Sequence, residues 1–211
     1  MRKIQIIAVL LLLLFAPALT SAFQNEPDSF SNSRMFTAYN IYKWPQRNMI
    51  CLNFNGSLYK IPAGTEVKGV KVVNSIRDPD YSGIEFIEFT TVEDNKTFQI
   101  KFIERYHPGK TINDLKGIMF TDKTFDELIQ GLSEREIDAI KQGIVIKGMR
   151  KQAVFITLGP PCERNTPSME DNVWVYNKNN RVRFKLHFFR NESSGIYEVT
   201  EIVPLGRGVR D

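Results

Sequence analysis

The sequence predicts an α+β protein in which a strand-rich segment precedes a mixed segment of helices and strands. Short runs of β-branched and aromatic residues, separated by turn residues, fill the chain from position 35 to position 105. Two helix-capping patterns follow, and three further strand-like runs end the chain. With 211 residues, 42% hydrophobic and 25% charged, the composition is globular and excludes disordered, collagen-like and multispan membrane classes.

Charge and cysteine content exclude further classes of function. The formal net charge is +4, and removal of Arg2 and Lys3 with the N-terminal segment described next leaves +2. The 24 acidic residues are interspersed with the basic ones, so no nucleic-acid partner is expected. The two cysteines and two histidines lie far apart in sequence and lack the short-range ligand pairs of structural zinc. We therefore predict no metal site and no cofactor.

Residues 1–22 have the features of a cleaved export signal. Two basic residues precede an apolar stretch over residues 4–19, and small residues at 20–22 offer a cleavage site before Phe23. The apolar stretch is short for a membrane span, which needs about 20 residues, although an uncleaved anchor is the alternative. No cysteine lies near the predicted cut, so the protein is not expected to be a lipoprotein. These features predict a periplasmic or secreted protein.

A polar lead-in over residues 23–34 precedes a predicted β domain over residues 35–108. Within the β domain, Asn55-Gly56 predicts a two-residue hairpin turn, because a type I′ turn needs positive φ at both central positions. Five short strands with tight turns fit a small barrel or sandwich. The strand candidates are residues 35–42, 49–54, 70–74, 83–92 and 97–105.

Helical signals begin in a predicted linker over residues 109–131. Two Ser/Thr-x-x-Glu capping boxes predict helices over residues 124–130 and 133–142. A glycine follows each helix at the position where a left-handed residue ends it. The apolar run within residues 149–158 is rich in β-branched residues, and periodicity alone leaves a strand and a helix equally open.

Three strands are predicted at the C-terminal end of the chain, over residues 172–176, 181–190 and 196–203. The middle strand alternates between apolar and polar residues, so one of its faces belongs to the core and the other faces solvent. The predicted core side chains are Val182, Phe184, Leu186 and Phe188, and the opposite face carries Arg181, Arg183, Lys185 and His187.

The C-terminal part resembles the BamE-like (SmpA/OmlA) family. The resemblance rests on Gly148-Met149, Lys151-Gln152-Ala153-Val154, Leu158-Gly159-Pro160-Pro161, Asn172-x-Trp174-x-Tyr176 and Val182-x-Phe184. Members are small exported bacterial domains with two helices followed by a three-stranded antiparallel sheet. The resemblance implies such a domain over residues 132–211 and a helix for the ambiguous run. Arg150 departs from the family, which usually has Ser or Thr as the cap of that helix.

A shorter motif in the N-terminal half is similar to bacterial SH3-like modules. Residues 61–67, Ile-Pro-Ala-Gly-Thr-Glu-Val, lie among short predicted strands. This similarity implies that residues 35–108 form a small SH3-like β-barrel.

The BamE-like resemblance implies a binding function. The best known members are accessory lipoproteins of outer-membrane protein assembly, and none of the shared motif residues is catalytic. We therefore expect a non-enzymatic adaptor or binding module for another envelope protein. One alternative is a cell-wall module that binds peptide or glycan through the SH3-like part. Another is a thiol-dependent enzyme in which Cys162, beside Glu163, pairs with His107 or His187.

Two sets of residues are candidates for functional roles. The first is a partner-binding surface for an acidic protein or an anionic lipid surface, for which the alternatives are a core aromatic pair and a solvated basic face. The second is a disulfide, for which the alternative is two separate buried thiols; a bridge requires Cα atoms within about 7 Å. The surface candidates are Trp174, Tyr176, Arg181, Arg183, Lys185 and His187, and the disulfide candidates are Cys51 and Cys162.

Export is directly testable. The basic start, the apolar stretch and the small residues before Phe23 predict cleavage at that point. N-terminal sequencing of the protein from a periplasmic fraction should return a sequence beginning near Phe23. Recovery of Met1 at the N-terminus, or of the protein in the cytoplasm alone, contradicts export.

Overall fold

The computed structural model describes residues 34–43, 49–56, 59–74, 84–179 and 182–205, and within them the chain is α+β, as predicted. The predicted export signal, residues 23–33 of the lead-in, and Arg181 lie outside the described residues.

A curled, mixed six-stranded sheet forms most of the N-terminal half. Its strands are β1 (Met35–Thr37), β3 (Met49–Ile50), β5 (Glu66–Asn74), β6 (Glu85–Thr91), β7 (Thr97–Lys101) and β8 (Phe120–Thr121), in the spatial order β3-β7-β6-β5-β1-β8. All neighbours are antiparallel except β3 and β7, which are parallel. Two short strands, β2 (Ile41–Lys43) and β4 (Tyr59–Ile61), form a separate antiparallel pair.

The predicted hairpin turn at Asn55-Gly56 is wrong. Neither residue has positive φ, and β3 pairs with β7 rather than with the strand that follows it. Gly56 instead approaches the C-terminal half, where its N–H donates to the carbonyl of Lys178 at 2.8 Å. A Cβ at position 56 would lie 2.5 Å from that oxygen, so glycine permits this close backbone approach.

Within the described residues, three of the four α-helices begin with a capping box. Both predicted boxes form, and a third uses Thr111 with Asp114, an aspartate variant that a search for Ser/Thr-x-x-Glu misses. In each box the hydroxyl accepts from a backbone N–H and the carboxylate accepts from the N-cap N–H. The helices are α1 (Ile112–Met119), α2 (Phe125–Leu128), α3 (Glu134–Gln142) and α4 (Lys151–Leu158). None of the helices in the described ranges is long and apolar enough to cross a membrane.

The ambiguous run forms helix α4, and contacts from α3 hold the first turn of this helix. Arg150 gives no side-chain cap. Glu136 of α3 accepts from the Arg150 backbone N–H at 2.9 Å and from its guanidinium at 2.7 Å. Burial would raise the pKa of Glu136, but hydrogen bonds from Arg150 and Ser133 outweigh it and lower the pKa to about 2. One carboxylate thus completes the α3 capping box and joins the two helices.

The C-terminal sheet has the three predicted strands in antiparallel order. They are β9 (Val173–Asn177), β10 (Arg183–Arg190) and β11 (Tyr197–Leu205), arranged β11-β10-β9. On the central strand Leu186 and Phe188 are buried and Phe184 is half-buried. Their cluster includes Ala139 and Ile140 of α3, so this face belongs to the core as predicted.

Two hydrophobic clusters fill the interior. One is built from buried residues between Met35 and Phe120, and the other mainly from residues between Ala139 and Val199, with Tyr42 and Ala63 joining it from the N-terminal half. The described residues all belong to one compact unit. The division into an N-terminal and a C-terminal domain stays a prediction.

Buried Asn40 joins the two halves through hydrogen bonds to both C-terminal helices. Its side-chain amide donates to the carbonyls of Ile140 at 2.9 Å and Thr157 at 3.3 Å, and its backbone N–H donates to Ile156 at 2.9 Å. Its side-chain oxygen accepts from the Ala63 N–H at 2.9 Å. Because the last carbonyls of a helix have no partner within the helix, Asn40 caps α3 and α4 from outside.

Asn53 and Tyr42 complete this capping. The Asn53 amide donates to the Leu158 carbonyl at 2.7 Å, and the Tyr42 hydroxyl, which has one proton, lies 3.0 Å from the Thr157 carbonyl oxygen and 3.2 Å from that of Gly143. Asn53 has a φ of 45°, a left-handed conformation that asparagine adopts more readily than most residues. The side chains of Asn40, Tyr42 and Asn53 therefore satisfy carbonyls at the ends of both helices.

Replacing Asn40 with leucine should destabilise the whole protein. The substitution keeps a similar side-chain size but leaves the buried Ala63 N–H unsatisfied, at about 1–3 kcal/mol, and removes one of the two donors to each of the Ile140 and Thr157 carbonyls, at about 0.5–1.5 kcal/mol each. We expect the free energy of unfolding, measured in urea, to fall by about 2–5 kcal/mol. The exposed control Asn113→Leu should change it by about 0.5 kcal/mol or less. A similarly small change for Asn40→Leu would contradict the capping role.

Candidate functional site

Trp174 and Tyr176, two of the predicted surface residues, are core residues. Trp174 is 1% exposed and lies opposite Leu186, and Tyr176 is 5% exposed and lies opposite Phe184. Directly opposite residues in an antiparallel pair share a face, so both aromatic rings point towards the helices. The prediction of a surface role for these two residues is wrong, and the core alternative is correct.

The predicted basic row lies on the opposite face of the sheet. Arg183, Lys185 and His187 alternate with the core residues of β10, and all three are half-buried. Glu201 of β11 lies directly opposite His187, so the face carries both signs of charge. Arg181, the fourth predicted member, lies outside the described residues.

An exposed aromatic residue outside the predicted set of surface residues continues this row. Phe189 follows His187 at the alternating position and is 73% exposed. Glu198 lies opposite it on β11. Continuing the period-two alternation by one step past His187 would have placed Phe189 on this face. We call Arg183, Lys185, His187 and Phe189 the outer row.

The structure brings His107, Glu163 and both cysteines to the same region. A 3₁₀ turn over Glu104–Tyr106 follows β7 and leads to His107, whose Nδ1 lies 3.5 Å from the Glu163 Oε2. The His107 ring stacks on Phe102 with centroids 5.9 Å apart. Desolvation lowers the pKa of His107, against the opposing charge of Glu163.

Both cysteines are buried free thiols that approach carbonyls of this same turn. Cys51 Sγ lies 4.0 Å from the Ile103 carbonyl oxygen, and Cys162 Sγ lies 3.8 Å from that of Tyr106. The predicted disulfide is not formed in this structure. The two thiols each donate to a backbone carbonyl, which is the alternative that the sequence left open.

The surroundings of these thiols favour the neutral form. Burial raises the pKa of Cys51 to about 12 and raises that of Cys162 above its ordinary value. Within the described residues the His107 Nε2 has no hydrogen-bond partner, so the Cys162–His107 pair that the enzyme alternative requires is not hydrogen-bonded here. His187 lies in the outer row instead. An activated thiol needs a lowered pKa, and this site produces the opposite shift.

No cluster of three or more His, Cys, Asp or Glu side chains in the described ranges has the geometry to hold a metal ion.

A cleft of about 590 Å³ lies beside this region, between the α1–β8 segment and the loop that follows α4. Clefts of this size are within the range of small-ligand sites, about 300–1,000 Å³. Most of the side chains that line it are apolar. The apolar residues are Ala38, Ile118, Phe120, Leu128, Phe155, Pro160, Pro161, Pro167 and Met169. The polar residues are Lys110, Thr121, Lys123, Glu163, Thr166 and Ser168, and Gly117 also lines the cleft.

Lys151 fixes the far wall of the cleft. Its ammonium donates to the carbonyls of Met169 and Glu170, each at 3.1 Å, at the end of the loop after α4. The same ammonium lies 5.3 Å from the ring centre of Trp174 and 5.1 Å from that of Tyr197, within cation–π range.

Thr166 and Cys162 fix the middle of the same wall. The Val175 N–H donates to the Thr166 hydroxyl at 2.9 Å, and the Cys162 N–H donates to the Val175 carbonyl at 3.4 Å. Hydrogen bonds to β9 and the Lys151 contacts thus hold the loop at both positions along the cleft.

Comparisons of the chain with protein-family models, with curated proteins and with solved structures find no match.

Both native thiols should react slowly with a thiol reagent. Cys51 and Cys162 are buried and have raised pKa values, so little thiolate is accessible near pH 8. We expect reaction with 5,5′-dithiobis(2-nitrobenzoate) to be at least about tenfold slower than that of an exposed control thiol in an Asn113→Cys variant. Unfolding in guanidinium without reductant should release two thiols per chain. Rapid native reaction contradicts the buried neutral state, and recovery of no thiols would show that the bridge forms in solution.

Proposed function

We propose that this protein is a non-enzymatic binding protein of the bacterial cell envelope, an adaptor that docks on another envelope protein through the outer row. The observation that carries the proposal is Phe189, which is 73% exposed at the end of a row of basic side chains. Aromatic residues and arginine are enriched at the centres of protein–protein interfaces. A large exposed aromatic ring beside Arg183 has that composition.

The order of elements in the C-terminal half supports the envelope assignment. Helices α3 and α4 precede the three antiparallel strands, as in the BamE-like domains that the sequence resembles. Motif residues such as Trp174 and Met149 are buried, which agrees with a structural role for the motif. The BamE-like assignment, and the SH3-like assignment of the N-terminal sheet, are part of this proposal.

The outer row also suggests the chemistry of the partner. Arg183 and Lys185 favour acidic groups on the partner, and Phe189 favours an apolar pocket next to them. Glu198 and Glu201 lie opposite Phe189 and His187 on β11, so the partner meets acidic groups along one side of the row. We infer that this mixed pattern fixes the orientation of the partner on the sheet.

Site-specific photocrosslinking tests this proposal in cells. A p-benzoylphenylalanine at position 189 should give one discrete crosslinked species in the envelope fraction, and the same group at exposed Tyr59 should not. The double change Arg183→Glu with Lys185→Glu should reduce that crosslink by about tenfold or more, since it reverses two interface charges. Circular dichroism melting of the double variant is the control for folding. Equal crosslinking at both positions, or an unchanged yield in the folded double variant, would rule out this surface.

The same protein samples separate the alternatives. Retention on purified peptidoglycan that is insensitive to the Arg183→Glu and Lys185→Glu changes would favour the cell-wall module. Thiol-sensitive turnover that Cys162→Ala abolishes would favour the enzyme.

A further inference from the structure

We propose that the cleft between the α1–β8 segment and the loop after α4 binds a single-chain amphiphile with an anionic headgroup. The chain would lie among the apolar side chains, and the headgroup would pair with Lys123 at the rim of the cleft. This site is separate from the outer row, and the inference does not rest on the proposed protein partner.

The apolar lining favours a hydrocarbon chain. Phe120, Phe155 and Ile118 line the cleft from the sheet and helix side, and Pro160 and Met169 line it from the loop side. Burial of apolar surface contributes about 25 cal/mol per Å², so a chain in this cleft gains affinity without any directional contact. Of these residues Met169 is 40% exposed, so part of its side chain is accessible to a ligand in the cleft.

The charges that line the cleft favour an anion. Three charged side chains line it, Lys110, Lys123 and Glu163, so the sum is one positive charge. Glu163 lies close to two other groups of the protein: its Oε2 lies 3.5 Å from the His107 Nδ1 and has no hydrogen-bond partner among the described residues, and its Oε1 lies 4.0 Å from the Lys110 Nζ. The charge of Lys110 thus offsets that of Glu163.

Lys123 is the cation that remains for a ligand. Its own ammonium has no carboxylate within 4.0 Å among the described residues. Hydrogen bonds from the Thr124 hydroxyl and N–H to the Oε2 of the nearby Glu127 lower the pKa of that carboxyl, and the charge of Lys123 lowers it further without a contact within 4.0 Å. A carboxylate headgroup would give Lys123 an ion pair and place the only new charge contact at the rim, where the lysine is exposed.

The cleft needs no rearrangement to accept such a chain. Its loop wall is held by Lys151, Thr166 and Cys162 as described above. On the opposite wall, a Cβ added at Gly117 would meet no atom within 4 Å, so open space lies above this turn of α1. Preorganised walls lower the entropic cost of binding.

Fluorescence titration with 11-(dansylamino)undecanoate, on the full mature chain, tests the inference. We expect saturable binding of one probe per chain, with displacement by dodecanoate. Dodecyltrimethylammonium, used below its micelle concentration, should compete at least about tenfold more weakly, because it carries the same chain with a cationic headgroup. Absence of saturable probe binding, or equal competition by the two amphiphiles, would overturn the proposal.

Three variants assign the binding to this cleft. Gly117→Trp fills the open space from the helix without the strain of a positive φ, and should reduce probe affinity by about tenfold or more. Lys123→Glu should weaken dodecanoate by about tenfold and reduce its advantage over the cationic amphiphile. The exposed control Lys68→Glu on β5 makes the same charge change outside the cleft and should have no effect.

The outcomes remain distinct from those for the outer row. Unchanged probe affinity in a folded Gly117→Trp protein would overturn the cleft proposal while leaving the crosslinks at position 189 as they are. Conversely, loss of crosslinking in the outer-row variants has no bearing on dodecanoate binding.

Discussion

The ends of α3 and α4 are the constraint on which the rest of this structure depends. Each helix leaves its final carbonyls without partners, and here these carbonyls point into the protein rather than to water. Asn40, Asn53 and Tyr42 of the N-terminal half donate to them. Since an unsatisfied buried polar group costs about 1–3 kcal/mol, these contacts from the N-terminal half stabilise both helices in this position. The two hydrophobic clusters are therefore coupled by polar contacts rather than by a linker alone.

The chain turn after α4 follows from the same packing. Gly159 has a φ of 76°, and a Cβ there would lie 2.6 Å from the ring of Tyr39. That ring also meets Phe155 edge-on, with centroids 5.5 Å apart. Glycine is required both for the backbone conformation and for the approach of the tyrosine. The turn directs the following loop across the cleft and brings Cys162 to the 3₁₀ turn before His107.

Local patterns in the sequence predicted most of the elements, because the interactions that define them are local. The capping boxes at Thr124 and Ser133, and the alternation along β10, involve residues two or three positions apart. The capping box of Thr111 with Asp114 could have been predicted from the sequence in the same way. The same is true of the position of Phe189 on the outer face of β10. The burial of Trp174 was only one of two alternatives, since a strand's period does not say which face is covered.

Other features depend on contacts that no local pattern encodes. Asn53 to Leu158 and Asn40 to Thr157 are separated by more than 100 positions, and asparagine before a turn is ordinarily explained by the turn itself. Gly56 is a further example, because the close approach of Lys178, and not a local turn, requires glycine at this position. The convergence of His107 with Glu163 likewise requires the N-terminal sheet to dock on the C-terminal half, which composition and spacing do not reveal.

Lys151 shows how one side chain connects the cleft to the sheet that carries the outer row. Its ammonium binds the loop carbonyls of Met169 and Glu170 while lying over rings from β9, β10 and β11. Desolvation lowers the pKa of Lys151, yet the carbonyls and aromatic faces offer the cation compensating partners. The position of the cleft wall is therefore set by the core face of the same strands whose opposite face presents Arg183 and Phe189.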